Sequence, residues 1–83
     1  MVFSVMPTIL QIGPYRFFFY SNEQGEPKHI HVQQDQKLAK FWLKPVRLAS
    51  NNGFASHDLN RLQRLVVKHE KLFVEAWNEF FSN

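Results

Sequence analysis

The sequence predicts an α+β fold, in which a small antiparallel sheet of about four or five strands precedes a helical segment that packs on one face. Up to Asn52 the chain is rich in β-branched and aromatic residues and is divided by Gly, Pro and Asn, which is typical of short strands. After Gly53 the apolar residues recur every three or four positions, the period of an amphipathic helix. The connections between predicted strands are two to seven residues long, too short for parallel crossovers.

Each predicted strand ends at residues that favour turns. Gly13 and Pro14 end the first strand, and the polar stretch SNEQGEP separates the second strand from the third. Pro45 ends the fourth strand, and Asn51 with the residues that follow it ends the fifth. The five predicted strands are residues 8–12, 15–21, 29–34, 38–43 and 46–50.

The helical region is predicted over residues 56–81, with Ser56 as the N-cap residue. A straight helix from residue 57 to residue 81 would be about 38 Å long, whereas a domain of this size is only about 30 Å across. We therefore expect a bend or break near residues 69–71, giving one bent helix or two helices. Because 83 residues support only one core, residues 1–83 should form a single domain.

Composition limits the classes of function. The chain has no cysteine, which excludes disulfides and thiolate chemistry, and it has no apolar run near the roughly 20 residues that span a bilayer. Its first residues, MVFSVMPTIL, lack the basic start of a signal peptide, so we expect a soluble cytoplasmic protein. The net charge is +3, and residues 1–55 carry the whole excess, which makes RNA a possible partner.

Alternation along the predicted strands places several chemically versatile residues on one face of the sheet. His29 and His31 share this face, whereas Ile30 and Val32 should point to the helices. If the strands are neighbours, the same open face also carries Arg16, Phe18, Tyr20, Lys40 and Trp42.

Catalysis is one interpretation of this face. Cleavage of RNA needs a base, an acid and cations on the phosphate, and histidines such as His29 and His31 titrate near neutral pH. Trp42 or Phe18 would stack an exposed base. The residues supporting such a ribonuclease-type toxin would be Lys40, Arg16 and Tyr20.

Metal binding is a second interpretation, because two histidines one residue apart on a strand can chelate zinc. Such a site needs a third protein ligand, and Glu23, Glu26 or Asp35 could supply a carboxylate. The spacing does not choose among them, so we assign no metal ligand and expect no cofactor. A third interpretation gives the histidines no chemical role and has them hydrogen-bond the loop of residues 21–27.

A basic stripe on the predicted helix offers another binding surface. Arg61, Arg64 and Lys68 recur at helical spacing and could contact phosphates. Glu75 and Glu79 follow the stripe, and such acids commonly pair with bases on a solvated helix face.

Taken together, several segments of the chain resemble a small bacterial family known only as a domain of unknown function (four-one-six-zero). The most specific of them are the Pro-x-His-x-His-Val pattern of PKHIHV and the AKFWL segment that follows it. Others are MPTI, YRFFFYSNE, VRLASNNGF, LNRLQRLV and EAWNEFF, so the resemblance covers nearly all of residues 6–81. Residues 1–5 come before the Met-Pro-Thr segment with which members of this family usually begin.

The resemblance implies a free-standing cytoplasmic protein, commonly encoded beside a second short protein in a layout similar to toxin–antitoxin pairs. Our leading prediction is therefore a partner-binding component of such a pair rather than an enzyme. A small protein encoded nearby is the expected partner, no membrane is expected, and homo-oligomerisation is left open.

Overall fold

The computed structural model describes residues 8–81 and confirms the predicted α+β class, with an antiparallel sheet followed by two helices. Residues 1–5, which precede the family resemblance, lie outside the described residues. The elements are β1 (Leu10–Ile12), β2 (Tyr15–Phe18), β3 (His29–Gln34), β4 (Lys37–Leu43), β5 (Val46–Asn52), α1 (Ser56–Lys68) and α2 (Glu70–Phe81).

The sheet is an antiparallel meander with strand order β1-β2-β3-β4-β5. Every strand therefore pairs with its neighbours in the chain, as short connections require. β3 lies between β2 and β4, so the strand with the paired histidines is next to both strands that carry the other candidate residues. β1 and β5 form the two edges of the sheet.

The helices cover the sheet face that the alternation pattern assigns to the core. The apolar positions of β3 and β4 are buried as predicted, since Ile30 and Phe41 have no exposed surface. From the helices, Leu62 and Phe73 are fully buried in the same core. Trp77, near the end of α2, is only 5% exposed because its ring packs against those of Phe19 and His29. The remaining members of this core are Tyr15, Phe17, Phe19, Val32, Ala39, Leu43, Phe54 and Val66.

The predicted break in the helical region is confirmed at His69, where the backbone leaves the helical conformation between α1 and α2. Two helices of 13 and 12 residues fit across the sheet, whereas one straight helix would extend beyond it. The N-cap prediction is wrong by one residue, because Ser56 is already helical and Ala55 precedes it without a side-chain cap. Neither helix of the described chain is long and apolar enough to cross a membrane.

The last strand extends two residues beyond its predicted end, to Asn52. The Asn51 side chain accepts a hydrogen bond from the Phe54 N–H at 3.1 Å and donates one to the Phe54 carbonyl at 3.0 Å. The turn that the asparagines signal is thereby displaced to Gly53, whose φ of +105° suits glycine. This turn leads the chain into α1 and buries the Phe54 ring.

Candidate metal centre

The strand register brings the sequence-predicted residues of β2, β3 and β4 together on one face. His31 lies opposite Phe18 on one side and Lys40 on the other, and His29 lies opposite Trp42. Cross-strand neighbours of this kind share a face and are in contact. The order and register of the strands therefore place these side chains on one shared face, as the sequence predicts.

The histidines of this face are nevertheless buried, which differs from the open face that the sequence suggests. His29 has no exposed surface and His31 is 7% exposed. Alternation predicts which side of a sheet a residue lies on, but not what covers that side. The covering rings are Phe18 and Tyr20 beside His31, and Trp42 and Trp77 beside His29.

A carboxylate from the loop between β2 and β3 completes the cover. The loop returns to the sheet so that Glu23 is only 8% exposed. The Tyr20 N–H donates to Glu23 Oε1 at 2.9 Å, and the Glu26 N–H donates to the Glu23 carbonyl at 3.1 Å. These backbone bonds fix the turn and direct the other carboxylate oxygen, Oε2, at the histidines.

Both histidine rings meet that one oxygen. His31 Nε2–H donates to Glu23 Oε2 at 2.6 Å, and His29 Nε2 lies 2.8 Å from the same atom. One ligand atom from each of the three residues falls within 4.8 Å of the others. Within residues 8–81, no other group of three or more such side chains converges in this way. We call Glu23, His29 and His31 the His₂Glu cluster.

The electrostatics of the His₂Glu cluster favour an ionised carboxylate. Burial by itself would raise the pKa of Glu23. The two histidine rings, the Tyr20 N–H and the charge of His31 act in the opposite direction and outweigh burial, so the pKa of Glu23 lies well below its usual range. The Glu23 carboxylate is therefore ionised at neutral pH.

The proton positions on His29 leave its inner nitrogen without a suitable partner. His29 Nδ1 lies 2.8 Å from the Pro27 carbonyl, an obligate acceptor, so Nδ1 carries the proton. In the neutral ring Nε2 would present a lone pair to the ionised Glu23 carboxylate, whereas a protonated Nε2 would donate to it and so lower the pKa of Glu23. The contact is short but lacks hydrogen-bond alignment, and among the described residues His29 Nε2 has no hydrogen-bond partner. Either a bound cation or a second ring proton would relieve this opposition.

The cations predicted to assist catalysis are directed elsewhere. Lys40 Nζ pairs with Glu26 Oε1 and lies 4.5 Å above the Trp42 ring. The Arg16 guanidinium lies 4.4 Å above the Phe18 ring, and its Nε donates to Thr8 Oγ1 at 2.7 Å. Both cations share the face with the histidines, but these contacts are with groups other than the imidazoles.

The helical stripe is separate from this centre. Arg61, Arg64 and Lys68 are exposed on α1, whereas Leu62 and Val66 of the same helix enter the core on the opposite face of the sheet. The structure therefore does not bring this predicted binding group to the His₂Glu cluster.

Solvent reaches the carboxylate through a depression of about 300 Å³. Its walls are Tyr20, Asn22, Glu23 and Glu26. Asn22 was not predicted as a site residue, and neither was Trp77, whose ring lies 4.8 Å from that of His29. The sequence signal for Trp77 was its place in the apolar helical stripe, which indicates core rather than a site.

Fold and site together define a class: a small α+β protein whose five-stranded meander carries a buried pair of histidines closed by a loop glutamate. A family model described as "Domain of unknown function (DUF4160)" matches residues 15–78, a span that includes the whole His₂Glu cluster. The chain belongs to this family. No curated protein and no solved structure matches the chain.

Proposed function

We propose that the protein binds a divalent transition-metal ion, with zinc the best fit, through Glu23, His29 and His31. The observation that carries this proposal is the convergence of one ligand atom from each of these buried residues within 4.8 Å of the others, with His29 Nε2 left without a hydrogen-bond partner among the described residues. A cation at the meeting point of the three ligand atoms would bind the Glu23 carboxylate and the two Nε2 atoms in place of any proton between them. Neutral imidazole and ionised carboxylate are the forms that such metals bind.

The surroundings of His29 support the same proposal. Metal-binding histidines usually donate the second ring N–H to a carbonyl or carboxylate, which sets the tautomer and the ring orientation. The bond from His29 Nδ1–H to the Pro27 carbonyl is of this kind. Two histidines and one glutamate also form a ligand set that holds catalytic zinc in known sites, where the fourth position is left to water. The depression beside Glu23 would admit that water.

Binding requires a small rearrangement. Zinc–nitrogen bonds of about 2.0–2.1 Å in tetrahedral geometry place two ligand atoms roughly 3.3 Å apart. The contacts of Glu23 Oε2 to the histidine nitrogens are 2.6 and 2.8 Å. The carboxylate must therefore move outward by about half an ångström, and the histidine nitrogens, which lie within 4.8 Å of each other, must also come to roughly that spacing. Glu23 is part of a loop rather than a strand, so this movement disturbs no strand pairing.

Zinc titration tests the proposal directly. We expect one zinc ion per chain by calorimetry, and at a free concentration near 100 times Kd a stabilisation of about 2.7 kcal/mol. For a domain of this size that corresponds to a rise in Tm of about 10–20 °C. His31→Gln should weaken zinc binding by more than about 100-fold, because loss of even an outer partner of a ligand costs 10–100-fold.

His57→Gln is the matched control, since it removes an exposed histidine far from the cluster in the chain. It should leave the zinc affinity unchanged. The absence of binding to the folded wild-type protein would refute the proposal, as would equal weakening by the two substitutions. In either case His29 would instead carry a second proton, and the cluster would be an ion pair that fastens the loop.

A protein partner is a second candidate function, favoured by the exposed edge strand β5. This strand has seven residues, and Leu48 on it is 41% exposed. An edge strand presents unpaired backbone N–H and C=O groups, to which a strand of another protein can add. We propose that the short protein expected to be encoded nearby docks here, which would make the chain one component of a toxin–antitoxin-like pair in the bacterial cytoplasm.

Co-expression of the two proteins followed by size-exclusion chromatography tests this partner. We expect a stable complex, and Leu48→Lys should weaken it by about tenfold or more, because a charge replaces an apolar contact at the docking strand. Val67→Lys is the control, because Val67 is 54% exposed but lies on α1. Failure to form a complex, or a complex that tolerates Leu48→Lys, would remove β5 as the docking strand.

Ribonuclease-type catalysis by His29 and His31 stays a prediction. The histidines share a face with Lys40, as the hypothesis requires, but their enclosure and the pairing of Lys40 with Glu26 favour metal binding over proton transfer to a bound RNA.

A further inference from the structure

A second concave feature lies at the end of the sheet where the β2–β3 loop meets the turn between β4 and β5. It is an open depression of about 380 Å³, and small-ligand pockets generally span about 300–1,000 Å³. We call it the basic aromatic pocket and define it by its six lining residues: Pro27, Lys28, Trp42, Lys44, Pro45 and Arg47.

The charge of the basic aromatic pocket has one sign. Lys28, Lys44 and Arg47 line it, and no acidic side chain does. Within residues 8–81, none of the three has an ion-pair partner. Lys44 also borders a neighbouring depression that contains Glu70 and Glu75, so Lys28 and Arg47 carry most of the positive character of this pocket. Such a pocket selects an anion.

The aromatic wall of the pocket is held in place on both sides. Trp42 pairs with His29 on β3 and with Arg47 on β5. Its ring meets the His29 ring edge-on at 5.8 Å, and the Lys40 ammonium lies 4.5 Å above it. A fixed indole beside unpaired cations suits a ligand that joins a planar ring to a phosphate, because aromatic stacking and charge-assisted bonds then act together.

We propose that the basic aromatic pocket binds a nucleotide, with the base against Trp42 and the phosphate on Arg47 and Lys28. The same chemistry is available from a free mononucleotide and from one residue of single-stranded RNA. The proposal does not rest on metal binding, because none of the six lining residues belongs to the His₂Glu cluster.

Tryptophan fluorescence and calorimetry with defined probes test this proposal, with EDTA present so that the result is independent of zinc. The probes are AMP, adenosine, inorganic phosphate, hexaadenylate RNA and hexaglutamate. We expect AMP to bind with a Kd below about 1 mM and more tightly than adenosine or phosphate alone, and the binding to weaken as salt is added. If the RNA binds more than about tenfold tighter than AMP, single-stranded RNA is the source, and otherwise a free nucleotide is.

Arg47→Gln should weaken AMP binding by about tenfold, because a charge-assisted bond to phosphate is lost. Arg47 is exposed, so this variant should fold normally. Arg61→Gln is the matched control, since it removes one exposed arginine from α1, and it should change the affinity by less than about twofold. Equal weakening by both variants would overturn the proposal, because the binding would then follow net charge alone. Absence of AMP binding, or equally tight binding of hexaglutamate, would also overturn it.

Discussion

Replacing Phe73 by alanine is expected to lower the free energy of unfolding by about 3–5 kcal/mol, a large part of the 5–15 kcal/mol typical of a domain. Phe73 has no exposed surface, and its ring stacks on that of Phe17 with centroids 5.3 Å apart. This pair joins α2 to β2 of the sheet, so the truncation leaves a cavity at the contact between the two layers. Denaturation in urea, followed by tryptophan fluorescence, measures the loss.

The control for this prediction is the adjacent residue. Leu72 is 42% exposed on the same helix, and Leu72→Ala should cost less than about 1 kcal/mol. Alanine is the best helix former, so neither substitution weakens α2 through propensity. If both variants lose similar stability, the contact between Phe17 and Phe73 does not hold α2 on the sheet. The site would then depend less on this helix, which carries Trp77 against His29.

The arrangement of strands and helices is largely predictable from the chain because its signals are local. Turn residues such as Gly13 and Pro45 end their strands, and apolar alternation identifies Ile30 and Phe41 as core. The break at His69 follows from length alone, since a helix longer than the domain must bend. Strand ends were less predictable. The extension of β5 depends on a side-chain bond between Asn51 and Phe54, and no period in the sequence encodes that bond.

The candidate site was only half predictable. Alternation places His29 and His31 on one face, and short connections favour β4 as the neighbour that brings Trp42 beside them. The third member required the loop conformation. Glu23 was one of three acids that could have supplied a carboxylate. Only the turn made by its own backbone directs its side chain, rather than that of Glu26 or Asp35, to the histidines. Burial of the histidines was missed for the same reason, because an irregular loop and the end of α2 provide the cover.

The position of the proposed metal ligand Glu23 on a loop has a physical consequence. The two histidines are held by strand pairing and by rings packed around them, so they have less freedom to move than a loop residue. Glu23 is the adjustable member, held by Tyr20 and by a turn to Glu26. We therefore expect ion binding to order the loop more than the sheet. Backbone hydrogen exchange in residues 21–26 would show this as added protection when zinc is present.

Glu23→Gln is expected to lower the free energy of unfolding of the metal-free protein by about 2–4 kcal/mol at pH 7, because hydrogen bonds to a buried charged group are lost. The sign of the pH dependence follows from the pKa of Glu23, which folding lowers below its ordinary value of 4.5. A group with a lowered pKa stabilises the folded state fully above the unfolded value and loses that contribution as the pH falls through the folded value. The difference between wild type and variant should therefore be largest above pH 4.5 and shrink steadily below it.

Denaturation at a series of pH values in the presence of EDTA measures this difference without interference from zinc. Glu26→Gln is the control, because Glu26 pairs with Lys40 near the surface and its side chain is 46% exposed. Exposed pairs contribute at most about 1 kcal/mol, so this variant should follow the wild type closely. If the gap between wild type and Glu23→Gln stays constant from pH 7 to pH 3, the carboxylate is not stabilised by the histidines. The pKa of Glu23 would then be unchanged by folding, and the histidines would not be the groups that hold its charge.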